Sequence, residues 1–395
     1  MIRYTRHAVA AATVFDGEVA HRDSAVMIEG SQIAWIGPRG QLPDDVPTHC
    51  LPGDAWLAPG FIDLQVNGGG DMLFNAQPTP AGLARIAAAH RQFGTTSMLP
   101  TLISDTPATM RAALAAVQDC CGDGGILGIH FEGPFLSPAQ PGVHNPAAIR
   151  SPQSRDLDLI TSLRSTPKLV TLAPERVPAG FIAALVRSGV RVALGHSMAT
   201  YGETKRALSE GMTGFTHLFN AMRPLASRDP GPIAAALESS PAWFGMIVDG
   251  VHVDPAMLRL ALRGTAHPML VTDAMPPVGG TAVSFTLSGH KINVRENTCV
   301  REDGTLAGTA LDMASAVRNS VQLLGISLPS ALRYASTEPA RFLGVEDQLG
   351  RIAHGLRADM VALVPSDIRI IGTWQSGIWM WNGNGLRGGT FSESV

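Results

Sequence analysis

Four residues able to do chemistry recur along this sequence, each at the end of an apolar run: Glu132 in "HFEGPF", His196 in "LGHS", His217 in "THLFNAM" and Asp273 in "LVTDAM". Each alone has an ordinary reading. A strand-end histidine commonly serves as a hydrogen-bonded structural residue, and an aspartate can cap the turn that follows it. Together they point elsewhere. One carboxylate and two imidazoles from separate strands give three ligands and leave a position open for water, the pattern of catalytic zinc. Such mixed nitrogen and oxygen donors suit one divalent transition metal, Zn²⁺ first, with Fe²⁺, Co²⁺ or Mn²⁺ able to replace it. Asp273 is placed to take a proton from the attacking water and hand it to a leaving group. The reaction class is hydrolysis, with a C–N bond as the target.

The elements that must position these residues follow from the hydrophobic pattern. Eight apolar runs read as strands: 57–66, 96–102, 126–132, 169–175, 190–196, 214–220, 244–250 and 268–274. Amphipathic segments such as "PAGLARIAAAHRQFG" and "TPATMRAALAAVQDC" alternate with them. Repeated strand–helix alternation predicts an α/β fold, a (β/α)8 TIM barrel, whose sites lie at the C-terminal strand ends. Gln65, Asn67, Glu132, His196, His217, Asp249, His252 and Asp273 all fall at such ends. Residues 276–308 read as a hairpin insertion after the eighth strand, and "ALDMASAVRNSVQLLG" as the helix that closes the barrel. The ends of the chain differ. Residues 1–55 contain a period-two hairpin turning at Gly30-Ser31, and residues 350–395 are also strand-like. Neither half is long enough to bury a core alone, so both are expected to join in one small β-sandwich beside a barrel of residues 56–349. Tyr4, Trp379 and Trp381 are assigned to its packing.

Composition narrows the partners. The 395 residues are 45% hydrophobic and 16% charged, as in compact globular chains, and the formal net charge of −3 offers no basic surface for a nucleic acid. No apolar run has the length of a membrane span, and the start turns polar too early for a secretory leader, so a cytoplasmic location is expected. Cys50, Cys120, Cys121 and Cys299 lack the spacing of a disulfide framework or a cysteine zinc site and read as reduced thiols.

The stretch from "APGFIDLQVNGGG" through "HFEGPF", "PGVHNP", "LGHS", "THLFNAM", "DGVHVD" and "LVTDAM" resembles the N-acetylglucosamine-6-phosphate deacetylases of the amidohydrolase superfamily. The resemblance covers nearly the whole chain, and "HFEGPF", "PGVHNP" and "THLFNAM" are its specific parts. It implies that Glu132, His196 and His217 hold the metal and that Asp273 is the catalytic acid and base. It implies further that His144, Asn220, Ala221, Arg228 and His252 line a pocket for an amino-sugar phosphate. His252 would polarise the acetyl oxygen or hold the sugar, and Asn220 and Ala221 would offer backbone N–H groups to the phosphate. Arg228 supplies a planar cation that the net charge does not, and the resemblance places it in the neighbouring subunit's site of a homodimer. Met313, with Leu311 nearby, is set at the pocket through backbone groups. The reaction implied is conversion of N-acetyl-D-glucosamine 6-phosphate to D-glucosamine 6-phosphate and acetate, in amino-sugar metabolism. Two alternatives stay open: the same chemistry on N-acetylgalactosamine 6-phosphate or another N-acyl sugar phosphate, and a non-catalytic barrel serving binding or assembly.

One departure from the superfamily stands at the first barrel strand. Two-metal amidohydrolases place His-x-His there, where this chain has Gln65-x-Asn67. Amides are poor zinc ligands, so a single ion is expected, with Gln65 and Asn67 orienting water or satisfying buried polar neighbours.

Overall fold

The computed structural model describes residues 6–295 and 298–380. Tyr4 and Trp381 lie outside them. The chain opens with β1 (Arg6–Phe15), β2 (Ala20–Glu29), β3 (Gln32–Pro38), β4 (Thr48–Cys50) and β5 (Trp56–Pro59). Next come β6 (Phe61–Val66), the short pair β7 (Gly68–Gly69) and β8 (Met72–Leu73), then β9 (Thr95–Ile103), β10 (Ile129–Glu132) and β11 (Lys168–Leu172). They are followed by β12 (Val190–Leu194), β13 (Gly214–Phe215), β14 (Trp243–Met246) and β15 (His267–Leu270). An antiparallel sheet of β16 (Ser284–Leu287), β17 (His290–Arg295), β18 (Thr298–Arg301) and β19 (Leu306–Thr309) forms the insertion. The last strands are β20 (Met360–Val364), β21 (Arg369–Gln375) and β22 (Ile378–Met380).

Eight strands run in the order β15-β14-β13-β12-β11-β10-β9-β6, the sequential order of a barrel. Their pairing is parallel from β9 through to β15. Parallel strands covered on both faces carry continuous apolar runs, and β9 and β10 are buried at every residue. The circle closes through a single parallel bridge, Val66 to Ala274, beyond the end of β15.

Two differences from the sequence reading have local causes. The run 57–66 divides at Pro59–Gly60 into β5, which pairs with β20, and β6, which belongs to the barrel. Proline has no N–H for a ladder, and the Gly60 N–H turns to the Asp359 carbonyl at 2.9 Å. The sixth barrel strand is also much shorter than 214–220, since β13 ends at Phe215. Beyond it His217, Phe219 and Ala221 take φ values of 32°, 80° and 47°, which no strand can hold. Helices at Ser154–Ile160 and Gly231–Leu237 were not singled out by periodicity; each has only seven residues.

The termini join in one eight-stranded sheet, β22-β21-β20-β5-β1-β2-β3 with β4 on β1. Val26 and Ile28 near one end of that sheet and Trp374 near the other belong to one core cluster with Val9, Leu57 and Met360, so the sheet folds over a shared interior. Trp379 packs against this cluster, as the sequence led us to expect. Contact density divides the chain into two units. One holds the residues up to Ile62, His90–Ser97 and those from Met313 onward; the other holds Asp63–Ala89 and Met98–Asp312. Among the described residues, no helix is long and apolar enough to cross a membrane.

Candidate active site

Short strands leave their final residues free to turn inward, and the site is built from those turns. His196 follows β12, His217 follows β13 and Asp273 follows β15, with φ of 48°, 32° and 52° respectively. A non-glycine residue in this region costs on the order of 1–3 kcal/mol and persists only where its surroundings hold it. Glycines make room beside two of these turns. A Cβ on Gly195 would lie 2.5 Å from Thr171 Cγ2, and one on Gly308 (φ 67°) would lie 2.9 Å from the Asp273 carbonyl oxygen.

Glu132, His196 and His217 are buried and bring one donor atom each to within 4.8 Å of one another. His217 Nε2 lies 3.0 Å from Glu132 Oε1 and 3.1 Å from His196 Nε2. His196 Nε2 lies 3.3 Å from the same Glu132 oxygen. The tautomer of His196 decides what these contacts mean. Its Nδ1 is 2.8 Å from the Gln140 carbonyl, which can only accept, so the neutral ring carries its proton on Nδ1 and turns the Nε2 lone pair toward Glu132. A lone pair facing a carboxylate oxygen at this distance repels it unless a cation sits between them. The donor set therefore fits a divalent metal, with Gln140 orienting one ligand from outside.

In the chain by itself, protons on the rings meet the same demand for positive charge beside Glu132. Burial alone would push the Glu132 carboxyl up, but hydrogen bonds from His196 and His217, and their charge, hold it well below the usual carboxylate range. Burial likewise pulls His217 down, and its bond to Glu132 outweighs this and raises it. Burial, then the Glu132 charge, pushes Asp273 up to about 6. Asp273 Oδ1 accepts from Asn67 Nδ2 at 2.6 Å and from Gln65 Nε2 at 3.1 Å. Gln65 Nε2 also donates to Glu132 Oε1 at 3.1 Å, linking the two carboxylates. Among the described residues, no hydrogen bond reaches Asp273 Oδ2.

Asn67, Glu132, His196, His217 and Asp273 line a cavity of about 240 Å³ together with His144, Asn220, Ala221 and His252. The Ser104 backbone N–H donates to His144 Nδ1 at 3.1 Å, which leaves the proton of a neutral imidazole on Nε2, 3.9 Å from Glu132 Oε2. Burial, then repulsion from His196, lowers the His144 pKa to about 3, so the ring is neutral. His252 Nδ1 lies 2.5 Å from Asp249 Oδ2, and that carboxylate also accepts the backbone N–H groups of Val251 and His252. The backbone donor expected at Asn220 is already committed to the His217 carbonyl at 3.0 Å. Arg228 and Met313 are not brought to this cavity. Arg228 is exposed, and Met313 is buried at the start of the helix Met313–Leu324.

Sequence reasoning passed over several contributors. Thr305, Leu306 and Gly308 of the insertion line the cavity, and Ser104 and Gln140 orient the His144 and His196 rings, as Asp249, already placed at a strand end, orients His252. The contacts of Ser104 and Gln140 span 40 and 56 residues of the chain, which no local spacing announces.

Comparison with known proteins agrees with this geometry. The Amidohydrolase family model matches residues 56–380. The N-acetylgalactosamine-6-phosphate deacetylase of Shewanella sp. (strain ANA-3) is 45% identical over 84% of this chain and 85% of its own length. The N-acetylglucosamine-6-phosphate deacetylase of Haemophilus influenzae is 34% identical over 91% of this chain and 96% of its own. The crystal structure of N-acetylglucosamine-6-phosphate deacetylase from Pasteurella multocida superposes with a TM-score of 0.92 at 34% identity, covering 95% of this chain and all of that one, 100%. With a matching barrel, a matching sequence over most of its length and Glu132, His196 and His217 gathered at the strand ends, the chain belongs to the amidohydrolase family.

Proposed function

We propose that the chain hydrolyses the acetamide of N-acetyl-D-glucosamine 6-phosphate, giving D-glucosamine 6-phosphate and acetate. The observation that carries this reading is the convergence of Glu132, His196 and His217 in a cavity whose wall also holds Asp273. The deacetylase names of relatives spanning most of the chain support the substrate class. Glu132, His196 and His217 would hold one divalent ion, Zn²⁺ in the first instance. A bound ion supplies Lewis acidity toward a water and toward the amide carbonyl.

The chain's own residues do the rest. Gln65 and Asn67 fix Asp273 Oδ1, which leaves Oδ2 to take a proton from the water as its oxygen attacks the acetyl carbon. The same oxygen returns that proton to the amide nitrogen as the C–N bond breaks, so the sugar leaves as a neutral amine. A pKa near the working pH suits a group that must both accept and release. His144 offers an Nε2–H, and His252, aligned by Asp249, offers its other ring nitrogen to the acetyl oxygen or the sugar. Among the described residues, no lysine or arginine lines the cavity. A phosphate needs a cation, and Arg228 makes no hydrogen bond or ion pair among the described residues; its loop position supports delivery to the site of a second subunit in a homodimer.

A second reading concerns the epimer, because the relative at 45% identity is an N-acetylgalactosamine-6-phosphate deacetylase. One assay tests both. Acetate release is measured from the two N-acetylhexosamines, each with and without the 6-phosphate, before and after chelation. Chelator-sensitive release from the phosphorylated gluco sugar supports the main reading. A clear preference for the galacto phosphate would replace it, and no release from any of the four would overturn deacetylation.

A further inference from the structure

Asp63 is fully buried, bears a carboxylate and takes no part in the mechanism above. It sits two residues before Gln65 on β6, on the side where the barrel lacks a strand ladder: β6 and β15 are the two ends of the sheet, and beyond them stand the isolated Val66–Ala274 bridge and a few backbone hydrogen bonds. There its carboxylate stands in for missing backbone acceptors. Oδ1 accepts the backbone N–H of Gln65 at 3.2 Å and of Thr272 at 3.3 Å, and Oδ2 accepts the Thr272 hydroxyl at 2.5 Å.

Thr272 in turn shapes the residue that follows it. Its Oγ1 accepts the Ala274 N–H at 3.2 Å, so the hydroxyl closes a tight turn with Asp273 at its middle, at φ 52°. Asp273 is pinned on both backbone sides as well, its N–H to the Gln65 carbonyl at 3.0 Å and its carbonyl to the Thr309 N–H at 3.1 Å. Asp63 thus binds the backbone of Gln65, whose side chain donates to Asp273 Oδ1, and that of Thr272, which precedes Asp273 in the chain. A buried carboxylate is costly to retain for seam closure alone, as its own titration reflects: burial, opposed by the Thr272 and Gln65 hydrogen bonds, pushes it up to about 7.

We propose that Asp63 is a positioning residue for Asp273, acting through Thr272 and Gln65 to hold the proton-carrying oxygen over the reacting bond. The inference rests on the assignment of Asp273 as the proton carrier. A merely structural Asp63 would help close the barrel without regard to Asp273, and the two roles separate in a mutant cycle.

The test uses the full-length metal-loaded enzyme, with kcat, KM and metal per chain measured on N-acetylglucosamine 6-phosphate. Asp63→Asn is expected to lower kcat by about tenfold or more, with KM and metal content unchanged, because the loss is confined to the transition state. In an Asp273→Asn background the same change is expected to cost less than about twofold, because residues acting as a unit are non-additive. Full multiplication of the two losses, or loss of metal on Asp63→Asn, would overturn the proposal. If Asp63→Asn does not fold, Thr272→Val and Thr272→Ser carry the same test. Valine should reproduce the kcat loss and serine should restore activity, whereas equal losses for both refute the hydroxyl link. An inactive wild type would bring down the deacetylase reading and this inference together; an active wild type with multiplicative losses brings down the inference alone.

Discussion

Two groups of strand ends face the same cavity with opposite hydrogen-bonding character. At the ends of β10, β12 and β13, atoms able to give a lone pair converge: His196 Nε2, His217 Nε2 and Glu132 Oε1 lie within 3.0 to 3.3 Å of one another. At the end of β6, donors meet acceptors: the Gln65 and Asn67 amides both donate to Asp273. The first arrangement is completed by a cation. The second is already complete, and an added cation there would have to displace amide N–H groups from the carboxylate that they orient. Substituting Gln65-x-Asn67 for two histidines therefore does more than lower affinity for a second ion. It converts that wall of the site into a holder for the Asp273 carboxylate, with Gln65 Nε2 reaching across to Glu132 as the link between the two halves.

The largest effect should come from the ligand half. His196→Ala leaves two protein ligands, so metal content is expected to fall from about one ion per chain to a small fraction, with turnover reduced by roughly 10³ or more. Elemental analysis beside the acetate assay checks this. Two tightly held ions in the wild type, or full metal in the mutant, would break the contrast between the halves. Asp273→Asn probes the other half. Metal should remain at about one per chain while kcat falls by roughly 10² or more. The pH profile gives the sign independently. Asp273 must be ionised to accept a proton, so kcat/KM is lost as pH falls through its pKa. That pKa is raised to about 6 by burial and Glu132. A bound cation favours the carboxylate, placing the acid limb at or below that value. A limb well above it would point to a different proton carrier.

Strand–helix alternation made the barrel legible, and each catalytic candidate could be placed at a strand end because apolar runs stop where polar residues begin. Less legible was what those polar residues do once they leave the strand. Nothing in "THLFNAM" announces that β13 stops at Phe215 and that three of the following residues take positive φ. Asp63 is hidden for a related reason. In "FIDLQV" it reads as one polar residue in a buried strand, and its partner Thr272 lies 209 residues away. The insertion was read as hairpins, yet the approach of Thr305 and Leu306 to the cavity depends on a small core it shares with the barrel, including Ile103, Met275, Ile292 and Cys299. Arg228 illustrates another boundary: a residue whose proposed task is in a second subunit makes no hydrogen bond or ion pair among the described residues of its own chain to reveal it.

Asn67 offers the smallest and most discriminating perturbation. Its Nδ2 must be the atom facing Asp273, because an ionised carboxylate only accepts. Its Oδ1 is consequently left buried without a partner among the described residues. Asn67→Leu, similar in shape, deletes one donor to Asp273 and at the same time removes that unsatisfied acceptor, so the change in Tm should be slight. Gln65 still donates to the same carboxylate oxygen, and Asp273 keeps part of its alignment. We therefore expect kcat to fall by about threefold to tenfold, less than the full worth of a hydrogen bond to a charged group, with one metal per chain retained. A loss of metal would place Asn67 with the ligand half and erase the distinction between the two. An unchanged kcat would leave Gln65 and the backbone pins as sufficient to orient Asp273, and would remove the amide pair from the mechanism.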